Sequence, residues 1–95
     1  MAIYAVLYTY SDDAELRAAV RPSHRDYLAG LEELVVAGAW APGEAPGALL
    51  VFRAGSKADV ERLLAGDPFV VEGYVVEKQI FEWTAGLGPA SAHFQ

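Results

Sequence analysis

Residues 3–9, Ile-Tyr-Ala-Val-Leu-Tyr-Thr, form the first apolar run of the chain and stop at Ser11-Asp12-Asp13. Aliphatic and aromatic residues on both alternations predict a strand. Its odd positions (Ile3, Ala5, Leu7) are aliphatic and suit the underside of helices. Its even positions (Tyr4, Val6, Tyr8, Tyr10) are mostly aromatic and are expected on the opposite face. Residues 12–20 carry no clear stripe. Helical spacing starts after Arg21-Pro22, where proline fits a first helical turn because its missing N–H would be unpaired anyway. Leu28, Leu31 and Val35 then recur on one face with Tyr27 and Leu34 beside them, and Gly38 is the expected helix end.

Ala39-Trp40-Ala41 reads as a short second strand, and Pro42 to Gly47, with two Pro and two Gly, as a loop. Ala48-Leu49-Leu50-Val51-Phe52 is a third, central strand. Ser56 followed by Asp59 resembles a capping box and opens a second helix, whose buried stripe is Val60, Leu63 and Leu64 and whose end is Gly66. Asp67-Pro68-Phe69 is another start signal, a capping residue before a first-turn proline, and one helical turn is expected up to Gly73. Tyr74 to Trp83 is the last strand. From Thr84 onward Gly, Pro, Ala and Ser predict a loose tail or arm. The order β-α-β-β-α-β predicts an α+β, ferredoxin-like fold: an antiparallel sheet of order 4-1-3-2 with both helices on one face. The domain is expected over residues 1–84 and the tail over 85–95.

Composition alters this picture at one point. Hydrophobic residues make up 54% of the chain; counting Gly in place of Tyr raises this to about 58%, against a usual 45–50%. In so small a body some of that surface is expected at a subunit interface, so a homodimer through the open sheet face is the default. The net charge of −6 argues against nucleic acid and anionic membranes as partners, since both call for clustered cations. No window is long and apolar enough for a transmembrane helix, and the N-terminus lacks the basic and cleavage regions of a signal peptide. A cytoplasmic protein is expected. Cysteine is absent, which removes disulfides, thiolate zinc sites and thiol nucleophiles.

Topology then brings distant residues together. With the first strand running up, its end (Tyr8, Tyr10), the start of the first helix (Arg21, His24), the Pro42–Gly47 loop and Asp67-Pro68-Phe69 all fall at one end of the fold. His24 lies on the inward face of the helical pattern. An inward imidazole needs a partner: either a backbone carbonyl satisfies it as packing, or a carboxylate fixes its tautomer and makes it a general acid or base. Asp67 is open to the same two readings, as a plain helix cap or as that carboxylate.

Arg21-Pro22-Ser23-His24-Arg25-Asp26-Tyr27-Leu28 resembles the Arg-Pro-x-His-x-x-Tyr-Leu segment of YCII-related proteins. Gly47-Ala48-Leu49-Leu50-Val51-Phe52 resembles their third strand, and Asp67-Pro68-Phe69 with Gly73, then Phe81-Glu82-Trp83, complete a resemblance over roughly residues 3–83. It implies a dimeric α/β barrel with an active site centred on His24 and Asp67. The segment usually resembling Leu-Leu-x-Gly-Pro reads Ala39-Trp40-Ala41-Pro42-Gly43 here, so a Trp enters the wall of the expected pocket.

Other residues complete the expected site. Arg21 can anchor a carboxylate or phenolate or form an ordinary salt bridge. Tyr8 and Tyr10 can donate from the wall or pack in a core. Trp40 and Phe69 are expected as apolar lining, and His93 as a solvated tail residue. No metal site is expected, Glu44 being the one available third ligand, and no cofactor motif is present. The expected function is a small cofactor-independent lyase or isomerase acting on a small organic acid or aromatic molecule, with catalytic His24 and Asp67 and with Arg21, Tyr8, Trp40 and Phe69 binding the substrate. The alternative is a non-catalytic dimeric module that binds a small ligand or a partner protein.

Overall fold

A computed structural model describes residues 1–95. The elements run β1 (Ala2–Tyr10), α1 (Ala14–Ala29), β2 (Leu34–Ala39), β3 (Gly47–Ala54), α2 (Lys57–Ala65), α3 (Pro68–Val71) and β4 (Val75–Trp83), with a terminal 3-10 turn at Pro89–Phe94. The four strands form one antiparallel sheet of order β2-β3-β1-β4, and the helices pack on one side of it. This is the ferredoxin-like α+β arrangement read from the sequence.

Three expectations change. First, α1 begins at Ala14, not at Arg21-Pro22, and Pro22 lies inside it. The start signal is Asp13, whose carboxylate accepts from Leu16 N at 3.0 Å and satisfies one of the free N–H groups of the first turn. Second, the helix ends at Gly30, whose N–H bonds back to Asp26 and Tyr27 carbonyls, not at Gly38. Residues 34–39 instead form β2, paired with β3 from Leu34↔Phe52 to Ala39↔Ala48. Val35-Val36 favour a pleated, half-buried surface, and a neighbouring edge with free ladder groups outweighs the accidental helical spacing of Leu31 and Val35. Trp40 therefore follows the second strand instead of lying within it.

Third, the faces of β1 are reversed. Tyr4, Val6 and Tyr8 belong to the core cluster with Leu28, Leu50, Phe52, Val60 and Leu64, so the even positions face the helices. Large aromatics on β1 fill the layer beneath them, while Ala48 and Ala54 opposite are small. Ile3, Ala5 and Leu7 point to the open face with their partners Val51 and Leu49 on β3 and Phe81 and Trp83 on β4.

The second half of the chain follows its local signals. Ser56 caps α2 by accepting from Asp59 N at 3.1 Å, Gly66 closes it, and Asp67 caps α3 with Pro68 at its start. The segment expected as a loose tail or an arm lies against the sheet: Arg53 donates to the His93 carbonyl at 3.0 Å, and Phe94 meets Trp83 edge-on at 5.4 Å. No helix is long and apolar enough to cross a membrane.

Candidate functional site

Asp67 is fully buried, although it occupies the turn between α2 and α3. A buried carboxylate is costly unless its oxygens are hydrogen-bonded, and here three donors converge on it. Phe69 N donates to Oδ1 at 3.0 Å, the local cap of α3. The Tyr8 hydroxyl donates to Oδ2 at 2.8 Å. His24 Nδ1 donates to Oδ1 at 2.7 Å. Asp67 is thus at once the cap of α3 and a carboxylate bonded to His24.

His24 is buried on the inward face of α1, and its ring stacks on Phe69 with centroids 3.8 Å apart and planes 14° from parallel. Stacking and the Nδ1 bond together fix the ring's plane and direction. A carboxylate oxygen only accepts, so Nδ1 carries the proton and the neutral ring keeps its lone pair on Nε2. No side chain or backbone group bonds to Nε2, and no fully buried side-chain nitrogen or oxygen lacks a partner; Nε2 is therefore within reach of solvent. His24 lines a cavity of about 400 Å³ between α1, β2 and β3.

The cavity exists because its sheet wall is small. Ala37, Ala39 and Ala48 lie on the helix side of β2 and β3 and leave room under α1 that larger side chains would fill. Leu28, Leu50, Tyr10 and Phe69 supply apolar walls. Arg17, Arg21 and Arg25 bring positive charge to the α1 side.

Two phenols near the pair are held protonated. Burial, and then the neighbouring Asp67 charge, push the Tyr8 hydroxyl well above its ordinary range, so Tyr8 remains a donor to Asp67. The same causes, burial first, push Tyr10 up to about 12, with Tyr74 adding to the shift and Arg17 opposing it. Tyr27 is also raised, by burial and then by Asp67 and Glu33; its hydroxyl donates to the Leu63 carbonyl at 2.7 Å and ties α1 to α2.

Of the residues expected at the site, His24, Asp67, Arg21 and Phe69 are brought together. Tyr8 reaches the pair from behind: only 1% exposed, it holds Asp67 and does not line the cavity. Its position follows from the reversed faces of β1, which aim Tyr8 into the helix layer. Trp40 lines the adjoining cleft with Glu44, Tyr74 and the Pro42–Gly47 loop, because β2 ends one residue before it. No group of three His, Cys, Asp or Glu side chains is gathered as metal ligands. Sequence reasoning missed Arg17, Arg25 and the Ala37–Ala39 wall. Extending the helix back to the capping Asp13 would have exposed the arginine spacing.

A family model for the YCII-related domain matches residues 2–84. Among solved structures, the 5-chloro-2-hydroxyhydroquinone dehydrochlorinase of Burkholderia phenoliruptrix, in complex with 2,5-dihydroxybenzoquinone, is similar to this chain with a TM-score of 0.77 and 19% sequence identity. The alignment covers 88% of this chain and 95% of that one. A search of curated protein sequences finds no significant match.

Proposed function

The chain belongs to the YCII-related domain family, and from that premise we propose that it is a cofactor-independent lyase or isomerase that transfers a proton through His24. The observation that carries this reading is the 2.7 Å bond from His24 Nδ1 to a fully buried Asp67, which leaves Nε2 with its lone pair at the wall of a cavity. In the neutral ring Nε2 takes a proton from a hydroxyl or an activated carbon of the substrate. Asp67 holds the ring in the required tautomer and stabilises the imidazolium that forms. The proton then returns to the product of an isomerisation, or leaves to solvent when an elimination expels an anion.

The substrate fits a small hydroxylated aromatic or organic acid. A cavity of about 400 Å³ with apolar walls and a few polar groups suits a single ring, and the charge of Arg21 at its wall supports an anionic oxygen on that ring. The similar dehydrochlorinase, with 2,5-dihydroxybenzoquinone bound, makes chlorinated hydroquinols the first panel. We also take the working unit to be a homodimer. Val36, Leu49 and Phe81 are exposed on the open sheet face, and sedimentation velocity tests that part separately.

The direct experiment is turnover of that panel in deuterated and ordinary water by wild type and His24→Gln. The reading expects a drop of about 10²–10⁴-fold in the variant, the usual contribution of a positioned acid–base group. Equal turnover by both proteins would exclude His24 as the proton carrier. Binding of panel members without turnover by either protein would favour a non-catalytic ligand-binding module.

A further inference from the structure

Arg17, Arg21 and Arg25 are three of only seven cationic side chains in a chain with thirteen acids. They recur every four residues along α1 and flank the inward stripe of Leu16, Val20 and His24 on one side. All three line the cavity that His24 opens into, and all three are exposed. None takes part in an ion pair: the pairs in the protein are His24–Asp67 and Arg62–Asp59.

That arrangement is unfavourable without a ligand. Like charges four apart on a helix repel, and a cation near a helix start opposes the helix dipole. The helix supplies no relief either. No acid lies three or four residues from Arg21 or Arg25, and the one four before Arg17 is Asp13, whose carboxylate is occupied as the cap of Leu16 N. A protein this acidic could neutralise the row readily, yet leaves it free at a cavity wall.

Resting on the proton-transfer reading above, we infer that the site takes a dianion, with one anionic oxygen group on Arg21 beside His24 and a second on Arg17. Successive arginines are one helical turn apart, about 5–6 Å, which is the scale of two acidic groups on opposite sides of one aromatic ring. Arg17 is the choice over Arg25 because it borders both the His24 cavity and the adjoining cleft. There it shares the wall with Tyr10, whose phenol keeps its proton and can donate to the same anionic group. Arg25 contributes to the positive field at the rim.

Calorimetric titration with three benzene derivatives tests this: terephthalate with two carboxylates, 4-hydroxybenzoate with one, and neutral hydroquinone. Terephthalate is expected to bind wild type at least tenfold more tightly than 4-hydroxybenzoate, and hydroquinone most weakly. Arg17→Gln should erase the preference for terephthalate while leaving 4-hydroxybenzoate within about twofold. Arg21→Gln should weaken both acids. Both positions are exposed, and circular dichroism checks that the variants are folded. Failure of terephthalate to bind, an absent preference in wild type, or a preference that survives in Arg17→Gln would overturn the inference. His24→Gln separates the two readings. It should keep the dianion preference whatever happens to turnover, so unchanged turnover with an intact preference removes only the proton-transfer reading. Lost turnover in His24→Gln with no dianion preference in wild type removes only this one.

Discussion

Tyr8 and His24 share one carboxylate: the Tyr8 hydroxyl binds Oδ2 of Asp67 at 2.8 Å and His24 Nδ1 binds Oδ1 at 2.7 Å. Strand, helix and inter-helix turn are thereby tied at a single buried group. The same three contacts that make Asp67 tolerable in the interior also orient the imidazole toward the cavity.

Asp67→Asn tests that coupling of stability and orientation. An amide has one acceptor oxygen, so it cannot accept from Tyr8 on one side and from His24 and Phe69 N on the other. One donor is left facing an NH₂ group, at a cost of about 1–3 kcal/mol. Urea unfolding should show the midpoint falling with the slope unchanged. Asp67→Ala should cost more, because it also opens a void and leaves every donor unpaired.

The raised phenols predict alkaline instability. Above pH 10, the ordinary tyrosine value, the unfolded chain loses protons that Tyr8 and Tyr10 keep in the fold. The native state then binds more protons than the unfolded one, so stability is full below pH 10 and falls as pH rises. Each such phenol contributes a slope of up to about 1.4 kcal/mol per pH unit, and the Tyr10 contribution levels off near pH 12. Tyr8→Phe should be less stable than wild type at pH 7 but should lose less between pH 10 and 12. Thermal melts across that range measure both effects.

Gly66 is required for packing. A Cβ there would stand 2.5 Å from the Tyr27 hydroxyl and 2.9 Å from Cζ of its ring. That hydroxyl is bonded to the Leu63 carbonyl, so it cannot withdraw without breaking the tie between α1 and α2. Gly66→Ala should destabilise by about 1–3 kcal/mol, as overpacking does. Gly66→Ala with Tyr27→Phe should recover part of the loss if the hydroxyl is the obstacle.

The sequence was most legible where local signals and topology agreed. Ser56, Gly66 and Asp67-Pro68 mark the ends of α2 and α3 through chemistry carried in two or three residues, and tracing the strands puts Asp67 at the His24 end of the fold. It was least legible where tertiary pairing decides. Leu34 and Val35 match a helical stripe by spacing, and only the free edge of β3 turns them into a strand. Arg21-Pro22 looks like a helix start because a proline inside a helix is rare. The β1 faces were reversed because both are apolar, so alternation carries no sign; tertiary packing sets it, with Tyr4, Val6 and Tyr8 filling the layer beneath the helices and Tyr8 meeting Asp67 there. The arginine row stayed hidden for the same reason as the true helix start.

The pairing of His24 with Asp67 is read directly from the protonation of the His24 ring, by long-range ¹H–¹⁵N correlation on labelled protein with the ring neutral. The geometry predicts a proton on Nδ1 and an unprotonated Nε2, with the Nδ1–H tautomer losing its dominance in Asp67→Asn. A ring protonated on Nε2 in the wild type, or a tautomer indifferent to Asp67, would contradict it.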